Sequence, residues 1–86
     1  MARETCEYCN LKANEFLRAG DLAPARTLLI KAEALSTAND QLRADVFNNM
    51  ACYFRHQKKF RVAFEYLQKA MHIENILPKV PWSRIV

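Results

Sequence analysis

Shifted along itself by 38 residues, the sequence meets its own copy. Asn10 falls on Asn48, Ala13 on Ala51, Phe16 on Phe54, Ala25 on Ala63, Leu29 on Leu67, Lys31 on Lys69 and Ala32 on Ala70. Similar residues fill the intervals: Glu7 with Asp45, Cys9 with Phe47, Leu22 with Phe60, and Leu35 with Ile73. A period of this length means one supersecondary unit written twice, which restricts the chain to a stack of two like units.

The unit is helical. One glycine and three prolines in 86 residues leave few turns. Ala, Leu, Lys, Arg, Glu and Gln, all good helix formers, are plentiful. The fold class is therefore all-α, with each copy a helix-turn-helix hairpin. In the first copy, residues 4–19 place Cys9, Ala13 and Phe16 on one stripe at helical spacing. Gly20 suits the left-handed residue that ends a helix, Asp21 an N-cap, and Pro24 the first turn of the next helix. That helix, 22 to about 35, carries Ala25, Leu28, Leu29 and Ala32 on its inner face. Residues 36–39 form a short break, where Thr37 followed three residues later by Asp40 has the pattern of a capping box. The second copy predicts helices from about 40 to 57 and from 60 to about 75, turning at Lys58 and Lys59. The domain covers 1–77, with repeats at about 4–37 and 40–75 and a tail over 78–86. Two closely packed helices need a small residue where their backbones cross and bulky ones beside it. Ala13 with Ala25 and Ala51 with Ala63 are the expected crossings, flanked by Phe16, Leu22, Phe54 and Phe60.

At these residues the chain resembles the tetratricopeptide repeat family. The second copy carries the closer likeness, through Phe47, Asn49, Met50, Ala51, Phe54, Phe60, Ala63, Leu67 and Ala70. The first resembles it through Ala13, Phe16, Gly20, Leu22, Ala25, Leu29 and Ala32. The period departs from the family's usual length of about 34. The proline usual after the second helix is replaced by Thr37 and Asn75. The resemblance implies an α-solenoid fragment, a scaffold that binds a partner peptide or protein in a groove lined by the first helix of each hairpin. By that carry-over the first copy offers Glu7, Asn10, Asn14, Leu17 and Arg18. The second offers Asp45, Asn48, Asn49, Cys52, Arg55 and His56. Asparagine amides hold a peptide unit with both donor and acceptor, and arginines favour a partner of acidic character. The family's carboxylate clamp is matched only in part. Asn14 and Asn49 stand at its two asparagine positions, Asn10 replaces its first lysine, and Lys79 and Arg84 fall out of register.

Two hairpins cannot bury both of their faces, and solenoids normally need about three units with a polar end. The last helix carries Phe64, Leu67, Met71 and Ile76, too much apolar surface for a solvated end. The tail with Trp82, a second copy in a homodimer, or further repeats in a longer chain would cover it. Pro78 and Pro81 keep the tail from forming a capping helix. The alternative function is thus architectural self-association through this surface.

Composition narrows the remaining classes. A net charge of +4 steers mildly toward acidic partners. The basic run over 55–61 lacks aromatics at stacking positions, which argues against nucleic acid. No stretch approaches the roughly 18 apolar residues of a membrane span. Three cysteines without an export signal suit a reducing, cytoplasmic setting. Cys6, Cys9, Cys52 and His56 are soft ligands by type. Cys9, however, aligns with an apolar core position and Cys52 does not, so no metal or other cofactor is expected. Cys52 and His56 lack an orienting acid at a recognisable spacing, so no enzyme is expected either.

Overall fold

The computed structural model describes residues 5–76, and these form four helices joined by short turns: α1 Cys6–Ala19, α2 Leu22–Leu35, α3 Asp40–His56 and α4 Phe60–Ile76. There is no strand among the described residues. The fold is all-α, with α1 packed on α2, α3 packed on α4, and α3 laid against both α1 and α2. Trp82 and the rest of the tail lie outside the described residues, as does the side chain of Ile76.

The repeat is legible in the main chain itself. At the first hairpin tip, the Gly20 amide donates to Leu17 O and that of Asp21 to Phe16 O. Thirty-eight residues later the Lys58 amide donates to Arg55 O and that of Lys59 to Phe54 O. Both hairpins therefore close through the same pair of bonds, each with one left-handed residue, Gly20 at φ 81° and Lys58 at φ 61°. Glycine adopts this conformation freely, whereas a lysine is held there against its Cβ. Lys58→Gly should raise stability by about 1 kcal/mol, several degrees in Tm for a domain this small. Gly20→Ala should lower it by a similar amount, since an added Cβ meets nothing within 4 Å and only the backbone objects. Thermal melts of the two variants check this pair, and equal Tm values would contradict it.

The caps explain the helix starts. Thr5 Oγ1 accepts from the Tyr8 amide at 3.0 Å ahead of α1, and Asn39 Oδ1 accepts from the Leu42 amide at 3.0 Å ahead of α3. Asn39 is thus the cap of α3, not Thr37. Its extended backbone (φ −137°, ψ 108°) aims the side chain back over the first turn, leaving Asp40 as the first helical residue. Asp21 occupies the cap position of α2 but makes no side-chain bond there. Ser36, buried at the α2–α3 corner, gives its hydroxyl to Glu33 O at 2.9 Å.

The four crossing alanines, Ala13, Ala25, Ala51 and Ala63, are all buried. Small side chains here let the paired backbones approach, and larger neighbours fill the margins. The main core joins α1, α2 and α3 through Cys6, Cys9, Ala13, Leu17, Ala25, Leu29, Ala32, Val46, Met50 and Tyr53. A second cluster, Ala44, Phe47, Ala70 and Ile73, binds α4 to α3, and Tyr66 packs against both. Two expectations fail. Leu17, assigned to the groove, is buried with α2 instead of lining it. Phe60, assigned to the margin of the Ala51–Ala63 crossing, stands 62% exposed. Its counterpart Leu22 is covered because it packs against the main core, whereas no helix among the described residues stacks on the outer side of α4.

Candidate functional site

On α3, Asp45, Asn48, Cys52, Arg55 and His56 recur at helical spacing on one side, away from Val46, Met50 and Tyr53, with Cys52 still touching the edge of the core. Asn48, Arg55 and His56 are exposed, and Asp45 and Cys52 are half-buried. Asp45 accepts from Gln41 Nε2 at 3.3 Å, and Arg55 Nη2 reaches Cys52 Sγ at 3.7 Å. Alongside on α1 stand Asn10, Asn14 and the exposed Arg18.

The seam between the two helices is made of amides. Asn49 Nδ2 donates to Asn10 Oδ1 at 2.7 Å and lies 3.3 Å from Asn10 O, while Asn14 Nδ2 donates to Asn49 Oδ1 at 3.5 Å. Three of the predicted site residues are therefore brought together, but on one another. Their bonds lock α1 beside α3 and leave Glu7, Arg18, Asn48, Arg55 and His56 as the exposed groups of this wall. Arg18 and Arg55 make no ion pair among the described residues. Leu11, 60% exposed, is the leucine that projects from α1, one turn from Glu7 and Asn14 and two from Arg18. The sequence pointed to Leu17 because the repeat aligns it with Arg55, but α2 draws it inward. Lys79 and Arg84 of the partial clamp lie outside the described residues.

The open concavities lie on the opposite side, between α2 and α4 over the floor of α3. One, of about 890 Å³, is lined by residues including Glu33, Asp40, Arg43, Phe47, Lys69 and His72. A smaller one, of about 240 Å³, is bordered by Arg26, Ile30, Glu33, Phe54 and Tyr66. The Tyr66 ring stacks on Phe54 at 5.5 Å and meets Phe47 at 5.8 Å. The cations of Arg43 and Lys69 sit 5.5 and 5.8 Å from the Phe47 centroid, and Lys69 is 4.7 Å from that of Tyr66. These aromatic faces are thus already met by cations from within the chain. The sequence offered one signal for this cluster, the seven-residue spacing of Phe47 and Phe54, which puts both on one side of α3.

The thiols separate by environment. Cys6 and Cys9 are buried in the main core, and Cys6 Sγ donates to Ala32 O at 3.3 Å. Cys52 is half-buried and packs against the edge of the main core. Among the described residues no three His, Cys, Asp or Glu side chains converge as metal ligands would. Burial, then the neighbouring Cys9, Asp45 and Glu7, push the Cys6 thiol above its ordinary range. Burial, with Glu33 and Glu65, does the same to the Tyr66 hydroxyl. In the unfolded chain both groups ionise at their ordinary values while the folded forms still hold their protons. Stability is therefore complete below about pH 8.5 and is lost as pH rises toward the folded values. Urea midpoints taken from about pH 7 to about pH 10.5 should fall on the alkaline side, and less steeply in Cys6→Ser. A flat profile would contradict the burial of this thiol.

No helix among the described residues is long and apolar enough to cross a membrane. Compared with protein-family models, with curated proteins and with solved structures, the chain matches none.

Proposed function

We propose that the protein is a polypeptide-binding module, of the tetratricopeptide type, that receives a partner segment on the wall formed by α1 and α3. The observation that carries this reading is the amide seam. It holds two helices side by side, so that Arg18, Asn48, Arg55 and His56 project from a backbone frame that need not be ordered on binding. Preorganised donors lose less entropy when they engage a ligand than mobile ones do. Arg18 and Arg55 bring two guanidiniums, which favour negative charge, against the exposed carboxylate of Glu7, and His56 can donate a hydrogen bond from its ring. A segment rich in carboxylates is the partner they suit, with Leu11 as an apolar contact beside them.

A titration of acidic-tailed peptides followed by amide chemical shifts tests this. Shifts should gather on α1 and α3, weaken with added salt, and be lost by about tenfold or more in affinity with Arg18→Glu combined with Arg55→Glu. Binding that survives this double reversal, or shifts that map to the cleft between α2 and α4, would sink the wall as the site.

A further inference from the structure

The outer side of α4 is an apolar stripe. Phe60, Phe64, Leu67 and Met71 follow one another at steps of four, three and four, and they are 62%, 60%, 41% and 59% exposed. This differs from the face that meets α3, which carries Ala63, Tyr66, Ala70 and Ile73. The repeat tells what such a stripe is for. Moved back by 38 residues, it falls on Leu22, Arg26, Leu29 and Glu33, the side of α2 that lies against α3 and its cleft. There Leu29 is 1% exposed, because α3 covers it. The stripe thus stands where α2 receives a helix, and it is more apolar than α2 is.

We propose that this stripe pairs with the same stripe of a second copy of the chain, the two α4 helices running antiparallel. A head-to-tail stack, with α1 of one copy laid on α4 of the next, is disfavoured by what α1 presents. The residues that α3 buries against α2 include Val46, Met50 and Tyr53, and their counterparts on α1 are Tyr8, Lys12 and Glu15. Lys12 and Glu15 form an exposed ion pair at 3.4 Å, which would have to be stripped of water against phenylalanine. An isologous pair avoids that cost and closes on itself. Charge then selects its direction. Lys58, Lys59 and Arg61 gather at the start of α4 and Glu74 stands near its end, all exposed. Antiparallel pairing brings each Glu74 to the other copy's lysine turn and sets the helix dipoles in opposition. Parallel pairing would place lysines against lysines. In this register Phe60 meets Met71 of the second copy and Phe64 meets its Leu67. The four side chains offer on the order of 100 Å² each, about 800 Å² in the pair, so the interface falls among the weak, transient ones and pairing should be reversible. The inference does not depend on the α1–α3 wall, which uses other residues.

Sedimentation of the intact chain from about 5 to about 500 μM should show the mass rising from one copy toward two. Phe64→Glu with Leu67→Glu should weaken pairing by tenfold or more while helix content stays unchanged, because both positions lie outside the buried core. Met71→Glu is the single-site check. Glu74→Lys should weaken it several-fold, and adding Lys58→Glu and Lys59→Glu should restore it. In a Cys52→Ser background, Phe60→Cys chains should form disulfides with Met71→Cys chains and not with themselves. A single copy at every concentration, or a dimer indifferent to the glutamates, overturns the proposal. Phe60→Cys chains linking to one another overturn its direction.

Discussion

Leu29→Ala is expected to remove about 2–5 kcal/mol, a large share of the stability of a chain this small. Leu29 is 1% exposed at the junction of α1, α2 and α3, so its deletion leaves a hole bounded by three helices. Its neighbours include Ala25 and Ala32, which have no side chain to lean into the space. Relaxation is therefore limited, and the cavity cost stays close to its full value. The repeat supplies the control. Leu67 is the same residue at the equivalent place in the second copy, yet it is 41% exposed. Leu67→Ala should cost less than about 1 kcal/mol, within the range of substitutions outside the core. Urea unfolding of both variants, followed by circular dichroism at low concentration, compares them directly. Equal losses would mean that α3 does not cover α2 in the way described.

Asn49→Ala should cost about 1–3 kcal/mol, unusual for a residue on the polar side of an amphipathic helix. The substitution removes both halves of the seam at once and strands the amides of Asn10 and Asn14, which are partly buried. Water can reach them in part, which places the expected loss toward the lower end of that range. A double-mutant cycle with Asn10→Ala should return a coupling of about 1 kcal/mol through the 2.7 Å bond. Additive losses would show that the two amides do not hold the helices together. Asn48→Ala, one residue away and exposed, should stay within about 0.5 kcal/mol.

These two residues also mark where the sequence was readable and where it stopped. The alanines and Gly20 announced the hairpins because local geometry dictates them, whereas the left-handed conformation of Lys58 was not to be read from a lysine. A backbone crossing excludes large side chains and a tight corner needs positive φ, whatever surrounds them. Helix ends followed from the same local rules, and the cap of α3 was misplaced by two residues because Thr37, Asn39 and Asp40 all suit the role. Only the backbone path chose among them. Burial that depends on a neighbouring unit was harder to read. The pattern of Leu17 and Phe60 is the same whether or not a helix lies over them, so one was placed outside and the other inside, both in error. Phe64, Leu67 and Met71 stood out as uncovered because they lie on a second apolar side of a helix that already has one. The asparagine seam was invisible for a different reason. An amide suits a ligand and another amide equally well, and spacing along one chain does not say which it meets.

The hairpin corners have a wider consequence. Each is fastened by carbonyls and amides, so its shape survives a change of side chains, at a cost of about 1 kcal/mol where a Cβ must sit at positive φ. One corner can hold a glycine and an aspartate, its twin two lysines, with the same bonds underneath. Divergence between the copies is thereby loosely constrained at the tips, where only the left-handed residue prefers glycine, and tightly constrained at the alanines. An architecture fixed at so few points can outlast almost all visible likeness in the letters that encode it.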